Sequence, residues 1–66
     1  MKDLGKTIAK YRKEHKLNQS QLAKELENYD IYVKQNSISA WELGTATPNA
    51  RQFLALREIL EIYDIY

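Results

Sequence analysis

Apolar residues recur at helical spacing in four stretches of the chain. At about 100° per residue, Leu4, Ile8, Tyr11 and His15 fall in one narrow arc, which predicts a first helix from about Asp3 to Lys16 with that arc buried. Lys2, Lys6, Lys10, Lys13 and Lys16 gather on the other side, and Arg12 lies at the edge of the apolar arc, where a charge is usually paired. A second helix is expected to open near Gln19. Asn18 caps it, because its side-chain oxygen can accept from free backbone N–H groups. Leu22, Ala23 and Leu26 face inward, and the helix ends near Glu27. Residues 28–33, Asn-Tyr-Asp-Ile-Tyr-Val, read as an extended connection whose apolar content packs on something. A third helix spans roughly Gln35 to Leu43, with Ile38 and Trp41 inward and Gly44 as its stop. For a fourth, Thr47 is the expected N-cap and Pro48 the first helical position. Phe53, Leu56, Ile59 and Leu60 point inward, and the pattern fades near Ile62.

Two glycines and one proline interrupt this pattern, so helices dominate and the fold class is all-α. Sixty-six residues allow one domain, 1–66, whose core is small enough to depend on good helix packing or on a partner. Residues 63–66 read as the lead into a further element, so a fragment of a longer protein is expected. Without cysteine there is neither a disulfide nor a thiolate metal site. No apolar run approaches the roughly 20 residues of a membrane span, and the N-terminus lacks a secretory signal, so a cytoplasmic protein is expected.

The net charge is only +1, a weak footprint for nucleic acid, but its distribution is uneven. Residues 1–18 hold five lysines and Arg12 against Asp3 and Glu14. Catalysis finds little support. His15 is the only histidine and reads as a partly buried packing residue, with no second ligand at metal spacing. Ser20, Ser37 and Ser39 have no visible base, and there is no glycine-rich phosphate loop. No enzyme activity, cofactor, metal or small-molecule site is expected. The start of the third helix is different. Lys34-Gln35-Asn36-Ser37, then Ser39, offers amides and hydroxyls of the kind that read base edges in a major groove. The competing reading is a solvated face, which usually carries more charge. The lysine stripe, Lys10 and Lys13 included, can meet phosphates, although such stripes are common on exposed helices.

These residues together resemble the Cro/repressor-type (XRE-like) helix-turn-helix domain, over nearly the whole chain. The matching features are Leu4-Gly5 and Ile8 with Arg12, then Leu17-Asn18-Gln19-Ser20-Gln21-Leu22-Ala23, then Ile38-Ser39-Ala40-Trp41-Glu42-Leu43-Gly44 and Pro48. The resemblance implies a compact bundle of four to five helices of the lambda-repressor-like type. It makes Gln19 a brace to phosphate and to the recognition helix. It assigns base contacts to Gln35, Asn36 and Ser37, with Ser39 or Ala40 at the next outward turn. Lys10, Lys13, Lys34, Thr45 and Thr47 join Gln19 as expected phosphate contacts, and Arg12 with Glu42 forms the expected interhelical ion pair.

Three departures stand out. Leu26 to Ile38 spans twelve positions where the family commonly uses about seven, so the turn between helices 2 and 3 is enlarged, with Tyr29–Val33 filling the excess. The fifth helix, often used for dimerisation, is missing. Leu43 also replaces a small polar residue that lies near phosphate in relatives. The implied function is a transcriptional regulator, a repressor, that binds double-stranded DNA as a homodimer on a palindromic operator. The alternative is an antitoxin- or adaptor-like protein-interaction module on the same fold, favoured by the low charge and the apolar 29–33 loop.

Overall fold

A computed structural model describes residues 4–63. Four helices, α1 (Leu4–Glu14), α2 (Gln19–Leu26), α3 (Gln35–Leu43) and α4 (Ala50–Leu60), pack together, with a 3₁₀ turn at Glu27–Tyr29. No strand occurs among the described residues, and the all-α expectation holds. Asp3, the expected start of the first helix, lies outside the described residues.

Both well-marked helix starts are reciprocal capping boxes. Asn18 Oδ1 accepts from the Gln21 N–H at 2.7 Å, while Gln21 Oε1 accepts from the Asn18 N–H at 2.8 Å. Asn49 and Gln52 repeat the arrangement at 2.8 Å in each direction. This corrects the expected start of α4. The N-cap is Asn49 rather than Thr47, because the Asn49–Gln52 box satisfies two backbone donors at once. Pro48 is buried in the loop ahead of it.

Four segment ends close alike, each on a left-handed residue: Lys16 (φ 59°), Asp30 (φ 60°), Gly44 (φ 82°) and Glu61 (φ 56°). After each, the next N–H donates to the carbonyl five residues back: Leu17 to Arg12, Ile31 to Leu26, Thr45 to Ala40 and Ile62 to Arg57, at 3.0–3.1 Å. This is the Schellman closure, whose apolar follower folds back on the helix. Ile31 and Ile62 become buried this way. The 28–33 segment is therefore not a simple extended connection: it continues α2 as a 3₁₀ turn, reverses at Asp30 and tucks Ile31 into the core.

Ile8, Leu22, Leu26, Ile38, Leu56, Leu60 and Ile62 are inaccessible to solvent, and Trp41 and Ala55 nearly so. Phe53 and Ile59 are only half-buried, and Ala55 and Ile62 contribute core that the periodicity did not mark. His15, just past the end of α1, has a side chain that is 31% exposed, its Nδ1 2.9 Å from the Tyr11 carbonyl and its Nε2 3.6 Å from Glu61 Oε1.

One glycine sets the close approach of α1 to α3. A Cβ at Gly5 would stand 2.4 Å from the Trp41 carbonyl oxygen and 2.6 Å from that of Glu42, both backbone atoms. Only a residue without a side chain lets the first turn of α1 rest on the last turn of α3.

Candidate nucleic-acid interface

Arg12 is the one buried charged residue among the described residues, and its position on α1 at the margin of the apolar arc aims it at α3. Its Nε donates to Glu42 Oε2 at 2.6 Å and its Nη2 to Glu42 Oε1 at 3.1 Å. A third donor, Nη1, reaches the Leu17 carbonyl at 2.8 Å. Both side chains of the pair are only 10% exposed. The ion pair implied by the family resemblance is present, in the bidentate geometry that matches guanidinium to carboxylate.

Glu42 passes the network on. Gln19 Nε2 donates to Glu42 Oε1 at 3.0 Å, and Gln35 Nε2 donates to Gln19 Oε1 at 3.0 Å. Arg12, Glu42, Gln19 and Gln35 thus form one relay through α1, α3 and α2, ending at the first turn of α3. No buried side-chain nitrogen or oxygen lacks a partner among the described residues. Burial alone would raise the Glu42 carboxyl. Hydrogen bonds from Arg12 and Gln19, with the charges of Arg12 and Lys13, outweigh it and hold the group below the ordinary carboxylate range.

Gln35, at the end of this relay, is exposed. One N–H of its amide is committed to Gln19; its second N–H and its Oε1 have no partner among the described residues. Asn36 is exposed beside it. With Ile38 and Trp41 inward, Asn36, Ser39, Ala40 and Leu43 share the opposite stripe of α3, at i, i+3, i+4 and i+7. Ser39 and Ala40 are half-buried, whereas Leu43 is 76% exposed. Ser37 is half-buried and stands to one side of that stripe. Sequence reasoning treated Leu43 only as a departure from its relatives, yet its i+7 spacing from Asn36 marks it as a member of the outward stripe.

The expected phosphate contacts separate. Lys13 is exposed, and its charge helps to lower the Glu42 carboxyl. Lys10 is exposed one turn earlier, with its ammonium 5.5 Å above the Tyr11 ring. Lys34 precedes α3 with its side chain free of any capping bond. Thr45 is exposed, but its hydroxyl donates to the Ala40 carbonyl at 3.3 Å, so its proton is already used at the helix end. Thr47 is exposed in the loop before α4.

No helix among the described residues is long and apolar enough to cross a membrane. None of their His, Asp and Glu side chains form a group that could hold a metal ion. A family described as a helix-turn-helix domain matches residues 5–65. The chain therefore belongs to a helix-turn-helix family, as its resemblance to the Cro/repressor type implied; the helix-turn-helix is a DNA-binding architecture. No significant match to a curated protein or to a solved structure accompanies it.

Proposed function

We propose that this chain is the DNA-reading domain of a cytoplasmic transcriptional regulator, a repressor, which lays α3 in the major groove of double-stranded DNA. Two copies would bind a palindromic operator with their α3 helices about one helical turn apart, or a multiple of it. The chain, in this reading, is a fragment of a longer protein and carries no catalytic activity of its own.

The observation that carries the reading is the relay ending at Gln35. It holds a glutamine amide exposed at the first turn of α3, with one N–H and one oxygen unused. An adenine edge in the major groove presents the complementary pair, an N7 acceptor and an N6–H donor. Holding the amide still before DNA arrives removes part of the ordering cost of binding. Asn36, Ser37, Ser39 and Ala40 extend the reading face, and Gln19, Lys10, Lys13, Lys34, Thr45 and Thr47 supply the phosphate side. Lys13 is the strongest of these, because its charge is felt at Glu42, the carboxylate that holds Gln19.

Selection of sites from a randomised duplex pool at low salt tests this. The expected result is a symmetric motif with adenine at the position facing Gln35. Gln35→Ala should relax preference at that position by about 1–3 kcal/mol, and Lys13→Ala should weaken binding evenly and reduce the salt slope by about 1. A pool that stays random removes specific readout from this domain. The second reading, an antitoxin- or adaptor-like module, draws on the exposed apolar groove beside Tyr29, none of whose lining residues belongs to α3. It requires that no motif be selected and that neither substitution matter.

A further inference from the structure

The polar relay leaves one face of α4 without a role. An open groove of about 250 Å³ runs between the α2–α3 connection and α4, lined by Tyr29, Ile31, Arg51, Leu54, Ala55 and Glu58. Leu54 is 58% exposed and Tyr29 41%, while Ile31 and Ala55 form the floor. Positions 51, 54, 55 and 58 are spaced i, i+3, i+4 and i+7, so they make a single stripe along the helix. Its ends carry opposite charges, Arg51 and Glu58, two turns apart. Neither makes a hydrogen bond or ion pair among the described residues.

We propose that this stripe is a docking surface for a second copy of the same chain, related by a two-fold axis that crosses α4 between Leu54 and Ala55. In an antiparallel pair of helices centred there, Arg51 faces the partner's Glu58 and Glu58 faces the partner's Arg51. Leu54 lies over the partner's Ala55, a large side chain on a small one. That fit suits the roughly 8–10 Å separation of packed helix axes. The stripe is complementary to itself in this orientation only: a parallel pair would set Arg51 against the partner's Arg51. A two-fold contact requires such self-complementarity. The apolar contact is confined to about two helical turns and the rim of the 29–31 turn. It falls short of the roughly 1,200 Å² of a standard interface, so the dimer is weak and concentration-dependent. The inference deepens the operator reading, which calls for two copies, but it stands on separate residues.

The test is sedimentation equilibrium of the chain up to millimolar concentration, with circular dichroism to verify that each variant is folded. Wild type should shift from monomer to dimer. R51E and E58R each set like charges opposite each other twice, and each should weaken dimerisation about tenfold or more. An equimolar mixture of the two variants should regain the dimer as a heterodimer, because every contact across the axis is again between opposite charges. K24E has the same net charge as R51E but changes a residue outside the groove, so K24E alone should dimerise as wild type does, and E58R should add no heterodimer to it, because one of the two charge contacts would be Arg51 against the partner's new arginine. The proposal is overturned if wild type remains a monomer, if R51E and E58R dimerise as wild type does, or if K24E alone loses the dimer as R51E does. A monomer that still selects a DNA half-site would overturn the surface and leave the reading function; a dimer of the predicted register that selects no DNA would do the reverse.

Discussion

Two sides of this small domain solve the problem of a thin core in opposite ways. On one side, Arg12, Glu42, Gln19 and Gln35 tie α1, α2 and α3 together with polar groups whose buried atoms are all satisfied, and the relay terminates in an exposed amide. On the other, the enlarged α2–α3 turn tucks Ile31 under α4 and leaves Tyr29 and Leu54 exposed around a groove. Polar relays of the first kind fix orientation, because each hydrogen bond constrains direction as well as distance. Apolar contacts of the second kind are non-directional and tolerate sliding. The difference assigns precision to the α3 side and adaptability to the α4 side.

The largest expected effect comes from breaking the relay at its centre. Glu42→Ala leaves the Arg12 guanidinium buried without its carboxylate, and should cost about 3–5 kcal/mol in urea unfolding. That is most of the stability of a domain this size. Leu54→Lys, on the apolar side, should change monomer stability by less than about 0.5 kcal/mol. Equal losses at the two positions would erase the contrast.

Gly5→Ala comes next. The new methyl group meets the backbone of Trp41 and Glu42, which cannot swing aside as a side chain could. Separating α1 from α3 should cost about 1–3 kcal/mol in the same measurement. It should also loosen the Arg12–Glu42 geometry, seen as faster amide exchange in the last turn of α3.

A smaller effect follows from the carboxyl of Glu42. Its pKa is held below the ordinary value of 4.5 in the folded chain. A group depressed in the folded state contributes stability that is present above its unfolded pKa. That contribution is lost as pH falls through the folded pKa. Unfolding followed at successive pH values should show this acid loss below about 4.5. Glu42→Gln, which keeps the shape of the side chain but not its charge, should flatten it. The smallest effect concerns backbone alone. Lys16→Gly relieves a left-handed conformation that costs a side-chain-bearing residue about 1–2 kcal/mol, less the entropy of a freer unfolded chain. The net should be a gain of about 0.5 kcal/mol, read as a small rise in the melting temperature.

Much of the polar side was legible from the residues. Asn18 announced α2 and Gly44 ended α3, because caps act through local chemistry that a sequence displays directly. Arg12 at the edge of an apolar arc signalled a partner, and the family resemblance supplied Glu42. Helix 4 misled because Thr47-Pro48 and Asn49-Gln52 are both start signals, and the second satisfies two donors where the first satisfies one. The 28–33 segment misled for a different reason. Its reversal uses Asp30 in a left-handed conformation, where glycine would have advertised the turn. Gly5 carried a signal that went unread for its physical meaning: a glycine inside the first turn of a helix costs stability unless another backbone comes close. The Gln35–Gln19 contact was out of reach of spacing arguments, since it depends on how α2 and α3 cross.

The central claim is that the side built around the relay meets DNA and the side around the groove does not. The most direct measurement is a backbone-amide NMR titration of the chain with a duplex recovered by site selection. The account predicts shifts concentrated at Lys13, Gln19, Gln35, Asn36 and Ala40, with Tyr29, Ile31 and Leu54 moving only as far as a second copy is drawn onto the same duplex. Shifts centred on Tyr29, Ile31 and Leu54, with Gln19 and Gln35 unmoved, would contradict it.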